Sequence, residues 1–196
     1  MGYSEIIKKS QFWVIGISYF AISYGAYAIL DFVVTYGTIE LRIPYSVASS
    51  FITVAAFTGI IGGILIMVLS DYIGTKRPLA ITYTLMALSI LVMIFGGSNV
   101  LILMIGIGLF GFLYGAVFPM IAACARDYFQ KEVAGTVLGL LTIFYGLGAM
   151  TTPVVTGHLA DITGTFRWSF GLGGFAFLIS GFVITFLRKP KESERD

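Results

Sequence analysis

The residues with chemical capacity in this chain are few, and most of them are surrounded by apolar sequence. Asp31 is the one acid placed well inside a long apolar run, with Ser23, Tyr24 and Tyr27 before it. Phe20, Tyr24, Tyr27 and Asp31 recur at helical spacing, so a helix would carry aromatic groups, hydroxyls and a carboxylate on one face. Such a face can hydrogen-bond a polar solute, and an ionisable group inside an apolar run is a functional candidate by default. Depth leaves a second reading open. At about 1.5 Å per residue Asp31 lies roughly 28 Å from Phe12, near the far interface of a bilayer, where it would line a vestibule instead of handling substrate or a proton.

A second set of charges sits in a repeated stretch. Leu69-Ser70-Asp71-Tyr72-Ile73-Gly74-Thr75-Lys76-Arg77 returns ninety residues later as Leu159-Ala160-Asp161-Ile162-Thr163-Gly164-Thr165-Phe166-Arg167, with Leu, Asp, Gly, Thr and Arg in the same five positions. A carboxylate at Asp71 can accept hydrogen bonds from the orphan amides that begin the next helix, and Gly74 permits the tight turn. Lys76 and Arg77 then stand at headgroup level with Arg126 and Asp127 as candidate partners. Capping with positive-charge anchoring and a contact that makes and breaks are both open readings. Asp161, Gly164 and Arg167 would be the counterparts on the other face.

Glycine marks close packing or bending. Gly106-Ile107-Gly108-Leu109-Phe110-Gly111 formally matches a dinucleotide fingerprint, but that fingerprint needs a strand before it and a helix after it. In a span these glycines, with Gly115, let backbones approach, and Tyr114 is the one mid-span hydroxyl there, a candidate for a solute cavity. Gly146, Gly148, Pro153 and Gly157 form a candidate flexing segment, because a proline inside a span frees carbonyls that Thr151 and Thr152 can satisfy. His158 and Cys124 are each the only residue of their type, so neither a metal cluster nor an internal disulfide is expected; Cys124 reads as a core thiol, with proton sensing by His158 the minor alternative to a bland outer position.

The elements that must position these residues follow from composition. Of 196 residues 58% are hydrophobic and 11% charged, with a mean hydropathy of +0.95, more apolar surface than a soluble domain of this size can hide. Apolar runs long enough for a bilayer fall near 12–37, 46–70, 78–96, 100–122, 134–160 and 168–187, a single six-helix domain over 1–196. Lys8, Lys9, Lys76, Arg77, Arg126, Lys131, Arg188, Lys189, Lys191 and Arg195 share one side of that topology, and only Arg42 and Arg167 stand opposite. The bias places both termini on the cytoplasmic side of a cell membrane. Positive charge divided among membrane-flanking segments does not suit nucleic acid. A ninety-residue offset pairs Phe12 with Ile102, Ser46 with Thr136 and Pro78 with Trp168. The fold class is therefore an all-α membrane protein, six transmembrane helices arranged as a 3+3 inverted repeat, since three is odd and the second unit must enter the membrane upside down.

Asp71-Tyr72-Ile73-Gly74-Thr75-Lys76-Arg77 resembles the loop signature between the second and third helices of each half of a major facilitator superfamily transporter, with Met67 at the family's leading glycine and Tyr72 at its usual basic residue. Ala125-Arg126-Asp127-Tyr128-Phe129 with Ala134-Gly135-Thr136-Val137-Leu138-Gly139, Tyr145-Gly146-Leu147-Gly148 leading to Pro153 and Gly157, and the basic tail after Leu187 resemble the carboxyl-terminal half of its monocarboxylate and oxalate-type branch. The resemblance implies half of a twelve-helix secondary transporter of small organic solutes, monocarboxylates favoured, with a proton as candidate co-substrate. It implies alternating access against a second six-helix half, a copy of this chain or another chain. It places Ser23, Tyr24, Tyr27, Asp31 and Tyr114 at the cavity and makes Asp71, Gly74, Lys76, Arg77, Arg126 and Asp127 a conformational latch. The second and fifth spans carry no Lys or Arg in their cores to hold an anion. No cofactor is expected and no enzyme: a membrane protease would need a Gly-x-Ser-x-Gly serine with a buried histidine, or paired intramembrane aspartates. A truncated or non-transporting remnant, or an interaction subunit, is the rival reading.

Overall fold

The computed structural model describes residues 3–187, so the basic tail from Arg188 onward lies outside the described residues. Among them six helices are long and apolar enough to cross a membrane: α1 (Ser10–Glu40), α2 (Tyr45–Ile73), α3 (Lys76–Phe95), α4 (Val100–Tyr128), α5 (Lys131–Thr163) and α6 (Arg167–Ile184). All regular structure in the described residues is helical. Glycine ends both α2 and α5 at positive φ, which a side chain disfavours: Gly74 at φ +80°, ψ 161° and Gly164 at φ +72°, ψ 11°, the left-handed helical cap. Asn99 starts α4 by accepting hydrogen bonds at Oδ1 from the amides of Leu101 and Ile102, at 3.0 and 3.3 Å.

Hydropathy predicts ends at Gly37, Ala122 and Ala160, but α1, α4 and α5 continue to Glu40, Tyr128 and Thr163. Apolar sequence stops where hydrocarbon stops, whereas a helix can run on into the headgroup layer. Two spans are interrupted well inside their length, while α2 breaks only at Ser49, one turn from its start. In α1 regular helix ends at Leu30, resumes over Val33–Thr35 and finishes as a π-turn over Tyr36–Glu40. In α4 the segments Val100–Tyr114 and Val117–Tyr128 meet at Gly115 and Ala116.

The main packing contacts run in the order α2, α4, α3, α6, α1, α5. Exchanging α1 with α4, α2 with α5 and α3 with α6 turns that order into its own reverse. This is the pattern expected of an inverted repeat about an axis in the membrane plane. Fully buried Tyr83, Phe110, Phe170 and Phe177 fill the centre. The ends of the order are the least covered: 17% of the apolar window of α2 and 22% of that of α5 is buried, against 61% for α1. Two long faces thus remain open to lipid or to a partner.

Candidate functional site

Tyr19, Ser23 and Tyr27 are spaced four apart and so fall on one face of α1. This face meets α5 at Tyr145, whose ring lies 4.7 Å from that of Tyr19 and 5.9 Å, edge to face, from that of Tyr27. Ser23 Oγ donates to the Tyr145 carbonyl at 2.6 Å, which fixes the height of α5 against α1. From α4, Tyr114 reaches across so that its hydroxyl and that of Tyr145 are hydrogen-bonded. Phe110 supports Tyr114 from the next helical turn, stacked at 5.4 Å.

Tyr19, Tyr114, Gly115, Val117, Phe118, Thr142 and Tyr145 line a cavity of about 280 Å³. Tyr27, Tyr114 and Tyr145 are half-buried and Thr142 is exposed, so the cavity opens away from the six-helix core. Each phenol can donate once and accept more than once, so the Tyr114–Tyr145 pair keeps capacity for a further polar group. Rigid aromatic walls with a few hydroxyls suit a small solute carrying hydrogen-bonding atoms.

The expected face of Phe20, Tyr24, Tyr27 and Asp31 is divided by the structure. Tyr27 joins the tyrosine cluster, while Phe20 and Tyr24 line an apolar groove of about 530 Å³ between α1, α5 and α6. The Tyr24 hydroxyl is buried there without a hydrogen-bond partner. Asp31 is exposed at the break in α1, where its amide donates to the Tyr27 carbonyl at 3.1 Å. Ser23 is buried and bonded to Tyr145, and Tyr114 reaches the cavity. Tyr19 and Tyr145 are not among the residues that the sequence places at the cavity. Tyr145 was recoverable as a lone hydroxyl-bearing aromatic in the apolar part of its span, the same signal that marked Tyr114.

In α5 the helix continues through Pro153. Thr152 Oγ1 donates to the Gly148 carbonyl at 2.8 Å and also contacts the Tyr24 carbonyl of α1 at 3.1 Å. A Cβ on Gly148 would lie 2.5 Å from the Phe20 carbonyl, so that glycine is needed for packing, whereas Gly146 and Gly157 face open space. On α4, Gly111 and Gly115 touch the α2 backbone and Gly106 approaches Met93.

At the α2–α3 loop Asp71 is exposed in the last turn of α2, and Thr75, at the N-cap of α3, makes no side-chain cap. The carboxylate that meets this loop is that of Asp127, which accepts from the Thr75 hydroxyl. Arg77 and Arg126 are exposed and Lys76 is half-buried at the start of α3. On the opposite face Thr165 donates to Glu40 at 2.7 Å and Arg167 Nε donates to the Tyr36 hydroxyl at 3.3 Å, with Asp161 and His158 exposed. Cys124 is buried. Among the described residues no three His, Cys, Asp or Glu side chains are grouped to hold a metal.

The profile of the Major Facilitator Superfamily matches residues 12–196. The cis,cis-muconate transport protein of Acinetobacter baylyi is 25% identical over 87% of this chain and 41% of its own length. Monocarboxylate transporter 12-B of Danio rerio is 28% identical over 39% of this chain and 16% of its own. The E. coli fucose:proton symporter FucP superposes with a TM-score of 0.80 at 14% identity, over 95% of this chain and 45% of that one, which is a likeness of fold. The chain spans less than half the length of the muconate protein and of FucP. With a profile match across almost its whole length, six membrane-length helices in an inverted repeat and that shared fold, the chain belongs to the Major Facilitator Superfamily.

Proposed function

We propose that this chain is one six-helix half of a secondary transporter for small organic solutes, carboxylates foremost, and that it works by alternating access against a second half. The observation that carries this reading is the tyrosine cluster. It gathers hydroxyls from α1, α4 and α5 around a cavity that opens at the surface of the unit, where a second half would close it. The names of the muconate and monocarboxylate relatives support carboxylates, monocarboxylates among them. Phenol hydroxyls can donate to a carboxylate, but they do not balance its charge. All Lys and Arg within the described residues stand at helix ends or between helices, so the balancing charge comes from the second half or from a co-transported proton.

The second half is another copy of this chain or a separate chain, and the open faces of α2 and α5 are where it seats. The positive-charge bias supports both termini on the cytoplasmic side of the cell membrane, with the Thr75–Asp127 face inward. Asp71, Gly74, Lys76, Arg77, Arg126 and Asp127 then form the inner latch, whose opening contacts are those made to the second half, and Gly146, Gly148, Pro153 and Gly157 the segment where α5 flexes. Asp31 sits at the outer mouth. The chain catalyses no covalent step.

The test is reconstitution of the purified protein into liposomes after its particle mass has been measured by light scattering corrected for detergent. A particle of twice 21.3 kDa supports the homodimer. Radiolabelled lactate and muconate are then offered with and without an inward proton gradient. Saturable uptake that is lost in Tyr145→Phe supports the reading. A folded dimer that takes up neither solute under either gradient overturns it for the homodimer, and a monomer directs the same assay to the chain with its partner half supplied.

A further inference from the structure

The repeated stretch does the same thing twice, on opposite faces. After the positive-φ glycine, Gly74 or Gly164, comes a threonine whose hydroxyl donates to a carboxylate at the end of the first helix of the other repeat. Thr75 meets Asp127 near the end of α4, and Thr165 meets Glu40 at the end of α1. The Glu40 contact is the fuller one: the Phe166 amide donates to the second carboxylate oxygen, so that Glu40 holds the entry to α6 with both oxygens. Around it Phe32 stacks on Phe166 at 5.4 Å, and Tyr36 meets Phe170 edge to face at 5.1 Å.

What Glu40 holds is the irregular part of α1. Beyond the break at Asp31 and Phe32 this helix resumes for Val33–Thr35 and closes as a π-turn over Tyr36–Glu40, a geometry that needs outside support. The same helix carries Tyr19 of the cavity and Ser23 and Tyr27 against Tyr145, while α4, tied by Asp127, carries Tyr114. Both ties are closed in one structure. A pair that holds the unit together is made at once on both faces, as here.

We propose that Glu40 is a positioning residue that ties the end of α1 to α6, the mirror of Asp127 on α4, and that the two ties keep α1 with α6 and α3 with α4 while α5 flexes. The last clause rests on the transport reading; the tie itself does not. Movement against the second half then leaves both ties intact.

Hydrogen exchange of the full chain in lipid nanodiscs, read by mass spectrometry, tests it for Glu40→Ala, Thr165→Val and Thr165→Ser. Exchange across 33–40 and 165–168 rises about tenfold in the first two, the scale of one charge-assisted hydrogen bond, and returns toward wild type in Thr165→Ser. Segments around Asp127 stay protected, and the buried Cys124 thiol stays unreactive to maleimide as a control for global unfolding. Asp127→Ala shows the converse, with faster exchange at the α2–α3 loop. Wild-type exchange in Thr165→Val, or a rise spread evenly over all six helices with Cys124 reacting, overturns the tie. Uptake of lactate or muconate is read in parallel, and a higher KM at unchanged maximal rate is expected of Thr165→Val. If the wild type transports neither solute while the exchange results hold, the transport reading fails and the tie stands.

Discussion

The seam between α2 and α4 and the seam between α1 and α5 occupy equivalent places in the repeat, yet they are closed by different chemistry. Between α2 and α4 the backbones touch: a Cβ on Gly62 would lie 1.8 Å from the Phe112 carbonyl, on Gly115 2.0 Å from that of Gly59 and on Gly111 2.2 Å from that of Ala55. Between α1 and α5 one glycine, Gly148, allows such an approach, and Ser23 and Thr152 then bond across to Tyr145 and Tyr24 carbonyls. Helices in lipid gain little hydrophobic energy by associating, so close contact and hydrogen bonding are the two means of holding them together. The difference teaches that the repeat has kept its geometry while dividing its labour. One seam is closed by backbone contact, and the other places polar groups where a solute can meet them.

Breaking the glycine seam has the largest effect. Gly62→Val drives a side chain into the Phe112 carbonyl, a backbone atom that cannot step aside, and is expected to cost about 3 kcal/mol or prevent assembly. Thermal unfolding in detergent, followed by dye reaction at Cys124, reads this as a large fall in midpoint. Gly148→Ala attacks the other seam at 2.5 Å from the Phe20 carbonyl and is expected to cost about 2 kcal/mol by the same assay.

Tyr145→Phe separates function from stability. It removes the hydroxyl pair with Tyr114 at about 1 kcal/mol, yet uptake of carboxylate in liposomes falls below detection if the cluster is the solute site. A variant that unfolds normally late and transports normally would remove Tyr145 from the site. Thr152→Val costs only about 0.6 kcal/mol, because a lost interhelical hydrogen bond in lipid is worth little and the rest of the seam persists. The smallest effect carries the opposite sign: Gly146→Ala faces open space and gains about 0.5 kcal/mol of helix propensity, so its midpoint rises slightly while that of Gly148→Ala, two residues on, falls.

The repeat was legible because its marks lie in local geometry. Gly74 and Gly164 both adopt positive φ, and the threonines after them both find a carboxylate, so identity at five positions reports a shared turn site and shared contacts. The partners of those threonines were less legible. Asp71 is the nearer acid in sequence and was expected to meet the start of α3, but Asp127 meets that loop, fifty-two residues from Thr75. Glu40 gave no sign at all, since an acid at the end of an apolar run looks like an ordinary headgroup residue. The cavity was legible by half. Helical spacing identified α1 as the polar helix and named Ser23 and Tyr27, but it centred the face on Phe20 and Tyr24 instead of Tyr19, because several overlapping faces of one helix carry hydroxyls.

The chain by itself determined that it spans a membrane six times, that its halves are inverted relatives and where its helices turn. Those properties follow from counts of apolar residues, the parity of three and the conformational freedom of glycine, none of which depends on a distant neighbour. Only the tertiary structure decided which hydroxyls face each other, which glycines touch backbone and which carboxylate ties each loop. A hydrogen bond between residues 31, 122 or 125 positions apart depends on the rotation and height of two helices together, and no local pattern encodes that pair of quantities.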